Sequence, residues 1–187
     1  MKKRIIVGIT GASGVIYGVR LLELLRETEF ETHLIISEAG KINIGIETGY
    51  RVDEVLAMAD VSYENSDIAA PVASGSFLTS GMVVAPCTIK TLSGIVNLYA
   101  ENLLVRAADV CMKENLKLVL VVRETPLHKG HLRLIAQAAE MGACILPPAP
   151  SFYHHPKTIR DIIDQTVGKI FDCMGIEHNL FKRWGEW

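Results

Sequence analysis

The feature that most constrains this chain is a repeated succession of a short unbroken apolar run, a turn, and a stretch with apolar residues every three or four positions. The runs at residues 4–9, 31–37, 81–86, 117–122 and 143–147, with a weaker one at 61–63, read as strands. Their Val, Ile and Leu residues do not alternate with polar ones, which suits strands covered on both faces. Helical periodicity fills the gaps at 15–27, 52–60, 89–98, 103–115, 130–141 and 158–174. In the last of these, Ile159, Ile162, Ile163, Val167, Ile170, Phe171 and Met174 step by three and four. Strands alternating with helices predict an α/β fold: a doubly wound, mainly parallel sheet between two helical layers. No linker, repeat or break in composition divides the 187 residues, so one domain is expected over 1–187. In such a sheet a ligand lies at the carboxyl ends of the strands.

Composition narrows the function classes. Apolar residues make up 49% and charged residues 21% of the chain, which excludes disorder. Nineteen basic residues stand against 21 acidic ones, so no global field draws the chain to nucleic acid or to an anionic membrane. A local cluster of charge suffices for a small anion. The apolar run at 5–9 is interrupted by Gly8 and too short for a signal peptide, and the run at 116–122 contains Lys117 and is far from the ~20 residues that span a bilayer. Cys87, Cys111, Cys144 and Cys173 are unevenly spaced with no C-x-x-C. They read as free thiols of a cytoplasmic protein, with no metal site expected.

The motifs fall at strand ends. Gly8-Ile-Thr-Gly-Ala-Ser-Gly14 joins the first strand to a helix; its glycines admit close approach of a phosphate, and the N–H groups of the helix start favour an anion. The string is neither a Walker A loop nor the G-x-G-x-x-G of dinucleotide enzymes, and a plain tight turn is the alternative. Ser37 suits a helix cap and a ligand contact equally, while Glu38 is poorly placed for a ribose hydroxyl. Ser74-Gly75-Ser76 and Pro86-Cys-Thr-Ile-Lys-Thr-Leu-Ser-Gly94 bracket another strand with hydroxyls and one Lys. They form either a polar loop with a Thr cap or a second anion-binding turn. Arg106 and Lys113 are seven apart on one helical stretch; Arg106 has Asp109 three residues on, which offers an ordinary ion pair instead of a ligand contact. Arg123-Glu124 follows a buried strand, a clamp plus proton carrier or a mutual ion pair. His128 and His131 have no third partner for a metal. Tyr153 and Lys157 match the Y-x-x-x-K of some dehydrogenases, but Pro156 denies them a helix.

Taken in order, these strings resemble the UbiX-type flavin prenyltransferases, also known as subunits of aromatic-acid decarboxylases. The matching residues are Gly8–Gly14, Glu47-Thr48, Ser74-Gly-Ser-Phe77, Pro86-Cys87, Arg106-Ala-Ala-Asp109, Lys113-Glu114, Val122-Arg-Glu-Thr-Pro126, Pro147-Pro-Ala-Pro-Ser-Phe-Tyr153 and Arg183-Trp-Gly185. The resemblance implies a Rossmann-like, flavodoxin-like sandwich whose C-terminal helix and tail (157–187) complete the site. It implies transfer of a dimethylallyl group from dimethylallyl monophosphate to reduced FMN, without metal, giving prenylated FMN for a UbiD-type decarboxylase. It assigns FMN to Gly11, Ala12, Ser13, Ser37, Thr88, Ile89, Lys90, Thr91 and Arg123. It assigns the donor to Arg106, Lys113, Tyr153, Lys169 and Trp184. Glu47 and Glu124 would handle protons, with Ser13 beside the departing phosphate. The family forms homo-oligomers, commonly dodecamers, with sites shared between subunits. It usually carries Arg where this chain has Lys169, which keeps the charge and loses the bidentate fork. A non-catalytic FMN-binding subunit and a flavin or nicotinamide oxidoreductase are the competing readings.

Overall fold

The computed structural model describes residues 3–186. β1 (Lys3–Ile9) leads through the glycine turn into α1 (Val15–Leu25), followed by β2 (Phe30–Ile36), α2 (Glu38–Glu47), α3 (Val52–Leu56) and β3 (Val61–Glu64). A short 3-10 turn at Pro71–Ala73 precedes β4 (Gly81–Cys87), α4 (Ile89–Val96), α5 (Leu103–Lys113), β5 (Lys117–Val122), α6 (Lys129–Glu140), β6 (Cys144–Ile145) and α7 (Ile159–Met174). The sheet order is β3-β2-β1-β4-β5-β6, and every neighbouring pair is parallel. The chain therefore winds outward from β1 in one direction, then restarts beside β1 and winds outward in the other. That reversal leaves a crevice between the carboxyl ends of β1 and β4.

The unbroken apolar runs serve two cores by simple alternation. Ile5, Val7, Ile9, Leu34, Ile36, Val83 and Val119 point to the layer that holds α1 and α7. Ile6, Ile35, Met82, Val84, Leu118 and Leu120 point to the layer of α4, α5 and α6. Each such side chain, essentially removed from water, contributes about 1.5–3 kcal/mol. Between α1 and α7, Arg20 lays its guanidinium on Asp164 (Nε–Oδ1 2.6 Å, Nη2–Oδ2 3.2 Å) and reaches Glu23 at 2.8 Å.

Apart from shifts of one or two residues at other ends, three elements differ from the expectation. Residues 38–47 form α2, which the apolar pattern conceals: only Gly40 and Ile44 of this helix are buried, while Ile42 and Ile46 face outward. β6 is two residues long instead of five, because Pro147 and Pro148 bring no N–H to the ladder. α3 stops at Leu56 instead of continuing to 60, and Asp60 accepts bonds from the backbone N and the hydroxyl of Thr32 at 2.8 and 2.9 Å.

No helix among the described residues is long and apolar enough to cross a membrane. After α7, a left-handed Gly175 (φ 74°) turns the chain back along the helix. Arg183 then grips Asp172 with both terminal nitrogens at 2.8 Å, and His178 Nε2 lies 3.1 Å from the same carboxylate.

Candidate active site

The crevice at the switch point opens into a cleft of about 1240 Å³. Three helices begin on its wall, and the cap of each lines it: Ser37 for α2, Thr88 for α4 and Asn102 for α5. Ser37 Oγ accepts from Gly40 N, Thr88 Oγ1 from Thr91 N and Asn102 Oδ1 from Val105 N, each at 3.1 Å. The positive ends of three helix dipoles thus face one volume, an arrangement made for an anion. Lys90 adds an exposed cation, 3.8 Å from Glu101. Leu104 and Val105 supply an apolar side to the same cleft.

A buried threonine joins the two strands that frame this opening. Thr10 Oγ1 donates to the Pro86 carbonyl at 2.7 Å and accepts from Thr88 N at 2.9 Å. Thr10 therefore fixes the helix cap of α4 relative to the glycine turn after β1. In that turn Gly11 is required by contact: a Cβ there would meet the Ala39 Cβ at 2.3 Å. Asn43 Nδ2 donates to the Gly11 carbonyl at 2.9 Å and holds α2 against the turn.

The start of α1 is occupied by the protein itself. Glu47 Oε2 accepts from Gly14 N at 2.7 Å and from Val15 N at 3.3 Å. The expectation that the first helix offers open N–H groups to a ligand is narrowed: a carboxylate from the end of α2 already takes those of Gly14 and Val15. The helix starts facing the cleft are those of α2, α4 and α5.

Of the residues singled out above, Gly11, Ser37, Thr88, Lys90 and Thr91 line the cleft together. Ala12 is buried, Ser13 exposed at the turn, and Ile89 opens α4. Arg123 leaves β5 with its backbone N bonded to the Cys87 carbonyl at 3.1 Å, and its charge acts on the Tyr17 phenol, whose pKa burial nevertheless raises. Glu124 is exposed and accepts from Thr125 N at 3.0 Å.

The remaining residues form two separate groups. On α5, Arg106 donates from Nε to the Ala73 carbonyl at 3.1 Å and from Nη1 to Asp109 at 2.7 Å, so the ordinary helical ion pair is present. Lys113 pairs with Glu114 beside Gly75. The loop they touch is anchored by Phe77, whose ring lies 4.9 Å from the Arg4 guanidinium and 4.8 Å from the ring of His33. On the opposite side of the sheet, Tyr153 packs edge-on to Trp184 with centroids 5.4 Å apart. Lys169 on α7 bonds Asp172 at 2.9 Å, beside the Arg183 fork. One chain does not bring these cations together, because α5 and α7 cover opposite faces of the sheet. Lys113, moreover, lies eleven residues beyond Asn102 at the far end of α5, about 16 Å down the helix from the cleft.

Known proteins resemble this chain in sequence and fold. Residues 1–175 fit the model of the Flavoprotein family. Flavin prenyltransferase UbiX of Escherichia coli (strain K12) is 57% identical over 185 residues, covering 97% of this chain and 98% of that protein. The chain belongs to the UbiX flavin prenyltransferase family. Two solved structures of the UbiX type superpose closely. The crystal structure of AnUbiX (PadA1) in complex with FMN and dimethylallyl pyrophosphate gives a TM-score of 0.98 at 43% identity, with all of both chains covered. The dodecameric FMN-dependent UbiX-like decarboxylase from Escherichia coli O157:H7 gives 0.95 at 48% identity, covering 97% of this chain and 98% of that one.

This chain shares its doubly wound sheet with those UbiX structures. The motifs do not single out Thr10, Asn43, Asn102 or Asn65, which lines the cleft and accepts from Leu104 N through Oδ1 at 3.1 Å. Asn65 and Asn102 have a positional signal, since each stands just past a strand or just before a helix on the carboxyl side of the sheet. Thr10 and Asn43 act through contacts between distant segments, for which local sequence holds no signal.

Proposed function

We propose that this chain transfers a dimethylallyl group from dimethylallyl monophosphate to reduced FMN, providing prenylated FMN to a UbiD-type decarboxylase. The observation that carries the reading is the meeting of three helix starts, capped by Ser37, Thr88 and Asn102, on one cleft with an apolar side. The helix starts suit the flavin phosphate, and Leu104 with Val105 suits an apolar ring. Gly11, Ala12, Ser13, Ser37, Thr88, Ile89, Lys90, Thr91 and Arg123 hold the flavin. Residues 1–187 act as one flavoprotein domain, with 157–187 completing the site. The free thiols Cys87, Cys111, Cys144 and Cys173 suit the cytoplasm.

The reduced flavin brings the nucleophile, so the chain needs none of its own. Its residues must hold the phosphate leaving group, keep the allylic carbon dry and take up the proton released on ring closure. Arg106, Lys113, Tyr153 and Lys169 hold the phosphate in place of a divalent ion, and Ser13 lies beside it. Glu47 and Glu124 receive protons, and the exposed Trp184 closes the pocket. Because α5 and α7 cover opposite faces, the two cationic groups meet only across copies of the chain. The reading therefore includes a homo-oligomer, a dodecamer like the E. coli O157:H7 structure, in which one chain's Arg106 and Lys113 serve the site of another.

The test is to incubate the purified protein with reduced FMN and dimethylallyl monophosphate or diphosphate, then weigh the flavin. A mass gain of one prenyl unit with the monophosphate is expected. Unchanged flavin, with reductant and donor verified, would leave only an FMN-binding subunit.

A further inference from the structure

Cys144 and Cys173 lie outside the machinery just described. β6 carries Cys144 at the edge of the sheet, and Cys173 stands in the last turn of α7. Both are free and half-buried, packed against the core layer of α1 and α7, with their sulfurs 3.0 Å apart. A disulfide bond is about 2.05 Å long, so a shift of about 1 Å shared between two side chains would close one here. The other two thiols differ in kind: Cys87 and Cys111 are buried in the opposite layer, and burial pushes both up to about 12.

We propose that Cys144 and Cys173 form a reversible intrachain disulfide, closed by a low-molecular-weight disulfide such as glutathione disulfide and reopened by a dithiol. One protein thiol gives its proton to solvent, and the thiolate attacks the small disulfide. A small thiolate leaves with the electron pair, and a mixed disulfide remains. The second protein thiolate then attacks the protein sulfur of that mixed disulfide and expels the second small thiolate. The protein loses two hydrogens and two electrons, and the oxidant becomes two thiols. Burial, reinforced by the neighbouring thiol, pushes Cys144 up to about 11, with the Lys169 charge pulling weakly the other way. Cys144 therefore rests in the thiol form at neutral pH, and attack through its thiolate is faster in alkali. Once closed, the link fastens the end of the sheet to α7 and encloses the segment that carries Tyr153 and Lys169.

The experiment treats the full-length wild-type protein with glutathione disulfide at about pH 7 and pH 9, followed by non-reducing peptide mapping. The expected product is lighter by two hydrogens, links the Cys144 and Cys173 peptides within one chain, and reverts with dithiothreitol. Closure should be at least about tenfold faster at the higher pH. Cys144→Ser and Cys173→Ser should each stop at a glutathione adduct on the remaining cysteine of the pair. Glutathione adducts persisting on both cysteines of the wild type, a link between chains, or two thiols left unreacted would each overturn the proposal.

Discussion

Glu47 at the end of α2 places a carboxylate oxygen 2.7 Å from the backbone nitrogen of Gly14 at the start of α1. Two residues 33 positions apart thus close the glycine turn from outside, and the anion at this helix start belongs to the protein. The amide it holds follows directly on Ser13, which the proposed reaction sets beside the departing phosphate.

Replacing Glu47 separates these two duties. Glu47→Ala removes the acceptor for two N–H groups at a helix start and should lower stability by about 1 kcal/mol. Glu47→Gln keeps an acceptor, so its stability should change by less than about 0.5 kcal/mol. If the carboxylate also takes a proton, Glu47→Gln should slow flavin prenylation at least tenfold. Urea denaturation beside single-turnover rates checks both, and a Gln variant with full rate would remove Glu47 from proton transfer.

Thr10 offers a test of how the cleft is positioned. Thr10→Val keeps the volume but strips the Thr88 amide of its acceptor, while the Pro86 carbonyl keeps the Thr10 backbone N–H at 3.3 Å. The loss should be about 1–3 kcal/mol of stability, with weaker FMN binding because the α4 cap loses its fixed place. Chemical denaturation and an FMN fluorescence titration measure the two effects. Unchanged FMN affinity would mean that the cap is held by other contacts.

The tail contact should be visible in acid. Hydrogen bonds from Arg183, followed by those from Lys169 and His178, hold the Asp172 carboxyl well below the usual carboxylate range despite partial burial. A carboxylate whose pKa is lower folded than unfolded stabilises the fold fully above the unfolded value, near 4, and loses that contribution as pH falls toward the folded value. Asp172→Asn should therefore be less stable than wild type by about 1–2 kcal/mol at pH 7. The gap should shrink only below about pH 4. A gap that is constant from pH 7 to pH 3 would contradict this account of the tail.

Lys169→Ala should weaken dimethylallyl phosphate binding about tenfold or more while leaving FMN affinity unchanged. Calorimetric titration of each ligand decides it. Equal loss of both would assign Lys169 to the fold and not to the donor.

Much of this architecture could be read from the chain alone. Strands buried on both faces announce themselves as unbroken Val, Ile and Leu runs, and the five longer ones were located to within a few residues. β6 was overestimated because apolar content says nothing of the N–H groups that Pro147 and Pro148 lack. α2 was hidden because its outward face carries Ile42 and Ile46, which blur the helical period. Ser37 and Thr88 were recognisable as helix caps from residue type and position. The bond from the Gly14 N–H to Glu47 was not, since it joins segments whose proximity exists only after β1 and β2 pair. The separation of Arg106 and Lys113 from Tyr153 and Lys169 was equally invisible, because spacing along a helix does not reveal which face of the sheet the helix covers.

The central claim is that cations from opposite faces of the sheet meet only between copies of the chain. Mixing Lys113→Ala and Lys169→Met chains, each strongly impaired alone at limiting donor, before refolding and assembly tests it most directly. Random mixing in equal amounts should rebuild sites with both lysines in about a quarter of cases and restore about that fraction of wild-type flavin prenylation. Mixed assemblies as impaired as the separate variants would contradict the claim, placing both lysines in the site of a single chain.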